Sequence, residues 1–342
     1  MLKAAILFFL FLSVTVGISA QDSNPEIHLD KGIEYLYQGE YDSAIEQFNK
    51  AIESGIVNAE IYNALGAAYG SKGYFEEAKN SFMESIKLDV NNAEAFYNLG
   101  LIYYRELDLD KAIEHLSKAA QLDPGDAQTY YNLGIAYTDK REWSKAQETF
   151  LKAIELDSDP VGPYHNLAIC YSQDGDSVKA KEFFKKAIQV NPTFANAYVG
   201  LGSIFVDEGD WDKAIENSSK AVELDPTNTY AYVILGSSFA GRQEYDQALE
   251  SFQKAIQLDS SNAMLYYNSG LIHAYKGDWT KAIEYLKKSI EIDPQDASSY
   301  FALGSVYVKS GNNRAVFPLI NRLKELGRED LAGQLEQYLH TE

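Results

Sequence analysis

Every thirty-fourth residue from Gly32 to Gly304 is a glycine, with Ala168 the exception: Gly32, Gly66, Gly100, Gly134, Ala168, Gly202, Gly236, Gly270 and Gly304. The stretch AEAFYNLGLIYY, residues 93–104, shows what is unusual about the column. Its apolar spacing is that of an amphipathic helix, yet Gly100 stands mid-way, where glycine costs about 1 kcal/mol relative to alanine. Nine positions in strict register cannot be chance, so the glycine belongs to a repeated unit. Such a chain stacks unit on unit, because one unit cannot bury its apolar face alone.

Aligned on the glycine, other columns appear. Four residues before it come Tyr62, Phe96, Tyr130, Tyr164, Tyr198, Tyr232, Tyr266 and Tyr300, with His28 in the first unit. Three residues after it comes another ring, from Tyr35, Tyr69 and Tyr103 onward. This spacing puts both on one face of a first helix. Twelve residues after the glycine comes alanine (Ala44, Ala78, Ala112, Ala146), four further on mostly Phe or Leu (Phe48, Phe82, Leu116, Phe150), then a small residue, as on a second helix. Gly39, Gly73, Gly175, Gly209 and Gly277 mark turns between the helices. Pro124, Pro192, Pro226 and Pro294 end units, and Asn58, Asn92, Asp126, Asn228, Asn262 and Asp296 stand where a cap accepts from free backbone N–H groups.

The pattern, seen best in YNLGIAY at residues 131–137 followed by Ala146, Phe150 and Ala153, resembles the tetratricopeptide repeat. The resemblance implies an all-α fold, a right-handed superhelical solenoid of tandem helix-turn-helix repeats. It covers nine units: 25–58, 59–92, 93–126, 127–160, 161–194, 195–228, 229–262, 263–296 and a degenerate 297–330. Residues 329–340, with Leu331, Leu335 and Leu339 on one face, are expected to form a capping helix over the last unit. The glycine column is expected where the first helix crosses the second, with the alanine column opposite. Ser203, Ser218, Ser237 and Ser238 make units six and seven locally polar, which reads as neutral drift in preference to a soft joint in the superhelix.

The resemblance also implies an inner groove lined by the first helices. The groove columns carry Tyr97, Leu101, Tyr104, Tyr131 and Ile135, then His165 and Ile169, then Tyr267, Leu271 and Phe301. An exposed apolar stripe of this kind marks a binding surface for an extended or helical protein segment with apolar anchors. The alternative is a carbohydrate or cell-wall-binding module in which groove aromatics such as Tyr97, Tyr131 and Tyr267 stack on sugar faces. Members that hold a C-terminal carboxylate do so with Lys, Arg and Asn on this face, whereas here Arg105 is nearly alone.

The formal charge of −20 disfavours nucleic acid and anionic lipid as partners, since those associations are driven by basic residues. The histidines, His28, His115, His165, His273 and His340, are scattered, with no HExxH, cysteine cluster, phosphate-cradling loop or serine elbow. The sequence therefore points to a non-catalytic scaffold without a cofactor or metal. Cys170, the single cysteine, lies in an apolar helical stretch and reads as a buried thiol. Residues 1–20 have the order of a secretory signal peptide: Lys3, an apolar run from Ala4 to Gly17, and small residues ending at Ala20. The expectation is a protein cleaved near Ala20, with a short segment 21–24 before the repeats, periplasmic or secreted, and not membrane-spanning in its mature form.

Overall fold

The computed structural model describes residues 25–341, so the signal-peptide segment 1–20 and residues 21–24 lie outside the described residues. The chain divides at Asp157/Ser158 into two compact units. The first holds α1 (Pro25–Gln38), α2 (Tyr41–Glu53), α3 (Ala59–Lys72), α4 (Phe75–Leu88), α5 (Ala93–Arg105), α6 (Leu109–Leu122), α7 (Ala127–Asp139) and α8 (Trp143–Leu156). The second holds α9 (Val161–Gln173), α10 (Ser177–Val190), α11 (Ala195–Glu208), α12 (Trp211–Leu224), α13 (Thr229–Gly241), α14 (Tyr245–Leu258), α15 (Ala263–Tyr275), α16 (Trp279–Ile292), α17 (Ala297–Lys309), a 3-10 turn (Asn313–Ala315), α18 (Phe317–Glu325) and α19 (Glu329–Thr341). No strand occurs among the described residues. Within each unit, helices pack as helix-turn-helix pairs, and each pair packs on the next.

The caps fall where the sequence places them. Asn58, Asn92, Asp126, Asn228, Asn262 and Asp296 each accept from backbone N–H groups in the first turn of α3, α5, α7, α13, α15 and α17. Each is worth roughly 1 kcal/mol. The turn between paired helices needs one left-handed residue. Gly39, Gly73, Gly175, Gly209 and Gly277 supply it, and Leu107, Arg141 and Gln243 adopt it at φ of 62°, 60° and 62° in the units that lack glycine there.

The glycine column has a different neighbour from the expected one. A β-carbon on Gly32, Gly66, Gly134 or Gly236 would lie 2.5–2.8 Å from the ring of Phe48, Phe82, Phe150 or Phe252, and on Gly100 or Gly270 it would lie 2.8 Å from Leu116 or Leu286. The space left by glycine is thus filled by the side chain sixteen residues later, and these six residues are buried to 2% exposure or less. The alanine column is buried too, but it is not what the glycine column makes room for. The lost helix propensity is offset by burial of a large side chain, worth about 1.5–3 kcal/mol.

Three units solve the same packing problem differently. In the fifth, the glycine is Ala168, and Phe184 instead points its ring tip at Gly200 of α11, where a β-carbon would lie 2.3 Å away. In the sixth, Ser218 replaces the ring and Ile234 of α13 comes within 3.2 Å of the position a β-carbon on Gly202 would take. Ser218 and Ser238 are fully buried and donate to the carbonyls of Ala214 and Ile234, both at 2.6 Å. Ser218 and Ser238 thus lie where α11 packs directly on α13. In the ninth, Pro318 restarts the second helix after a 3-10 turn, α18 is short, and Leu335 of α19 reaches within 2.5 Å of where a β-carbon on Gly304 would stand. The last helix thus supplies the side chain that the degenerate unit lacks, and Ala332 and Leu335 are fully buried.

Candidate partner-binding face

The ten groove candidates are all half-buried. The structure gathers them into three separate settings. In the first unit, Tyr97, Leu101 and Tyr104 line one face of α5 and pack against Leu116, Leu133 and Ala136. Both hydroxyls are tied to α7: Tyr97 accepts from Asn132 Nδ2 at 2.8 Å, and Tyr104 donates to Asp139 Oδ2 at 2.5 Å. Burial raises the Tyr97 hydroxyl above its ordinary range, with Asp126 adding to it and the Asn132 bond opposing. Burial, then the bond and charge of Asp139, pushes Tyr104 up to about 12. These phenols stay neutral and lock neighbouring first helices together, so part of the stripe works as inter-repeat packing. On α7, Tyr131 leans against the buried ring of Phe150 at 6.0 Å, and Ile135 lies one turn on.

In the second unit, His165 and Ile169 of α9 line a depression of about 260 Å³. Its floor includes Phe184, Val199 and Gly200, and its rim Gln173, Asn196, Ser203 and Tyr230. The His165 ring meets Phe194 edge-on at 5.2 Å and Phe184 at 5.5 Å. Its Nδ1 is buried without a hydrogen-bond partner, and burial lowers the ring to about 4, so it is neutral at ordinary pH. Tyr230 is 56% exposed, with its hydroxyl 3.5 Å from Ser203 Oγ. Tyr267, Leu271 and Phe301 form the third setting, packed on the apolar cluster around Leu303 and Leu335, with Phe301 tilted against Tyr338 of α19 at 6.2 Å.

Phe184, Gly200 and Tyr230 are site residues that the groove columns did not single out. The signal for the first two was present: the column glycine is missing at Ala168 while Gly200 falls outside the column. A larger depression of about 420 Å³ lies across α14, α15 and α16, lined by Tyr266, Tyr285, Gln253, Glu284, Lys287 and Glu291, among others. His115 and His273, like His165, have a buried Nδ1 without a hydrogen bond and a pKa lowered first by burial, opposed at His273 by Asp278 at 3.6 Å. Among the described residues, no group of three or more His, Cys, Asp or Glu is placed to hold a metal, and Cys170 is buried. No helix among them is long and apolar enough to cross a membrane.

Family models now bear on this architecture. A TPR repeat model matches residues 32–73, 71–106, 236–275 and 270–311, and tetratricopeptide repeat models match 93–126 and 163–194, and 127–160 and 195–228. The chain belongs to the tetratricopeptide repeat family. Among solved structures, it is similar to a chain of the APC/C hetero-tetramer Cut9-Hcn1, with a TM-score of 0.57 and 18% identity over 84% of this chain and 57% of that one. It thus spans little more than half of that relative's length. A tetratricopeptide repeat protein from Parabacteroides merdae gives a TM-score of 0.55 at 19% identity, covering 72% of this chain and 98% of that one. The pilF protein of Pseudomonas aeruginosa gives 0.52 at 20% identity, covering 60% and 94%. At such identities the likeness shows the fold alone. A search of curated proteins finds no match. Tetratricopeptide repeats are protein-interaction scaffolds, typically non-catalytic, and that general role is the one the family supports here.

Proposed function

We propose that this chain is a non-catalytic adaptor that binds a partner protein segment on the apolar, aromatic face of its first helices, after export into the cell envelope or secretion pathway. The observation that carries the binding reading is the depression on α9, α11 and α13. It combines an apolar floor with amide and hydroxyl groups at its rim, and its volume of about 260 Å³ is close to the lower end of ligand pockets, which run from about 300 to 1,000 Å³. A side-chain anchor suits it better than a whole small molecule. Export is supported by the pattern of residues 1–20. Mass spectrometry of protein recovered from its native host should give a chain beginning at Gln21; an intact N-terminus on soluble cytoplasmic protein would refute export.

The binding reading is tested by affinity capture from the host's envelope extract, beside variants of equal thermal stability. Tyr131→Ala addresses the first unit, and Ile169→Asn the second. A protein retained by the parent and lost with either variant supports a first-helix site. Undiminished capture by both refutes it. A carbohydrate reading is favoured at one place only, the depression across α14, α15 and α16, where Tyr266 and Tyr285 stand beside Gln253 and Glu284. Retention on polysaccharide beads that disappears with Tyr285→Ala would support that second reading.

A further inference from the structure

We infer that the depression over Phe184 is an anchor pocket for a basic segment of a partner protein, one in which a large apolar side chain is succeeded two residues later by Lys or Arg. The inference rests on the first-helix reading above and names the chemistry of its ligand. In six other repeats the column glycine takes the ring or leucine sixteen residues later into its own helix pair. Ala168 closes that space, and Phe184 aims its ring tip at Gly200 instead, 2.3–2.7 Å from where a β-carbon would stand. The ring then belongs to the wall between two first helices. In the equivalent register other units carry Asn98, Asn132 and Asn268, so the bare helix surface at Gly200 is specific to this place. The result is a recess with Phe184, Ile169 and Val199 as an apolar lining, sized for one side chain.

The charge around the recess selects the residue two positions beyond the anchor. Helices α9, α11 and α13 contain no Lys or Arg, and His165 beside the pocket is neutral. Asp207 lies one turn beyond Ser203 on the same face of α11, is exposed, and has no ion pair among the described residues, whereas its neighbour Glu208 is held by Lys181 at 2.5 Å. Asp207 is seven residues, about 10.5 Å of helix, beyond Gly200. Two residues of an extended chain advance about 6.6 Å. The long stem of a Lys or Arg two positions beyond an anchor in the recess spans the remaining ~4 Å to Asp207. The protein's charge of −20 attracts such a segment from a distance and disfavours an acidic one.

The test is selection of a displayed random dodecapeptide library on the full chain, and then binding of the selected synthetic peptides measured by fluorescence polarisation. The expected consensus is a large apolar residue, any residue, then Lys or Arg. Asp207→Asn should weaken the consensus peptide about tenfold and abolish the preference for the cation, without changing the preference for the anchor. Gly200→Ala alone meets the Phe184 ring and is expected to lower stability, so the informative variant is the exchange Ala168→Gly/Gly200→Ala, which returns the ring to the arrangement of the other units. It should keep the stability of the parent and lose anchor binding at least tenfold. Selected peptides that lack the cation, or that bind the exchange variant as well as the parent, overturn the inference and leave the first-helix reading standing. No selected peptide at all, or peptides insensitive to Ile169→Asn and Tyr131→Ala as well, overturns both.

Discussion

Gly66→Ala tests whether the glycine column exists to house a ring. The new β-carbon would lie 2.7, 2.8 and 2.9 Å from Cε1, Cδ1 and Cζ of Phe82. Carbon atoms in contact sit about 3.5–4.0 Å apart, so the ring must retreat by about 1 Å. Phe82 is 2% exposed, so the ring can retreat only against buried neighbours. Overpacking of this kind costs about 1–3 kcal/mol, and replacing glycine in a helix returns about 1 kcal/mol, so the expected net loss is up to about 2 kcal/mol. Long repeat arrays do not unfold as one two-state body, so the measurement is hydrogen–deuterium exchange of peptides from α3 and α4. They should exchange faster than in the parent, by up to about 30-fold. The fifth repeat also supplies a rescue: Ala168 is tolerated there because Gly200 receives the ring, and Asn98 holds the equivalent register for Phe82. Gly66→Ala and Asn98→Gly should therefore couple favourably by at least about 1 kcal/mol in a double-mutant cycle. Slower exchange in Gly66→Ala, the uncompensated gain of helix propensity, would refute the steric account, and strict additivity would refute the exchange of ring position.

Other perturbations act on the same contacts. Leu107→Gly should stabilise by about 0.5–1 kcal/mol, because a left-handed leucine costs about 1–2 kcal/mol and glycine's greater freedom in the unfolded chain takes back part of it; slower local exchange around the α5–α6 turn checks this. Leu335→Ala should cost about 2–5 kcal/mol and release α19, read as faster exchange across Glu329–Thr341 with α9–α12 unaffected. His165 takes up a proton in the unfolded chain near pH 6.5 but in the folded one only at about 4. Its contribution is complete above pH 6.5 and is lost as the pH falls from 6.5 to 4, by at most roughly 3 kcal/mol. Hydrogen–deuterium exchange of peptides from α9 and α11 in the parent relative to His165→Gln, across pH 7 to 4, should show this slope, and a ratio that does not change with pH would exclude it.

The sequence by itself determined the repeat, its period, the helix pair within it, and its caps, because these are local. An Asn before a helix accepts from the next turn wherever the chain goes, and a glycine at every thirty-fourth residue announces close packing whatever packs there. Which atoms fill the space was not local. Phe82 and Gly66 are sixteen residues apart and meet only once both helices have folded on each other; from the column alone, the alanine was as plausible a neighbour. The substitution of Ala168 for glycine was visible, as was Gly200, but that one compensates the other depends on a ring crossing from one repeat to the next. The same holds for the groove columns. Periodicity put Tyr97, Tyr104, His165 and Phe301 on first helices, whereas only the tertiary structure decided that the two tyrosine hydroxyls tie α5 to α7, that Phe301 leans on α19, and that a recess with space for a ligand's side chain lies beside His165. Spacing along a helix fixes direction; whether a side chain pointing that way meets a neighbour or an opening is fixed by what the rest of the chain brings to it.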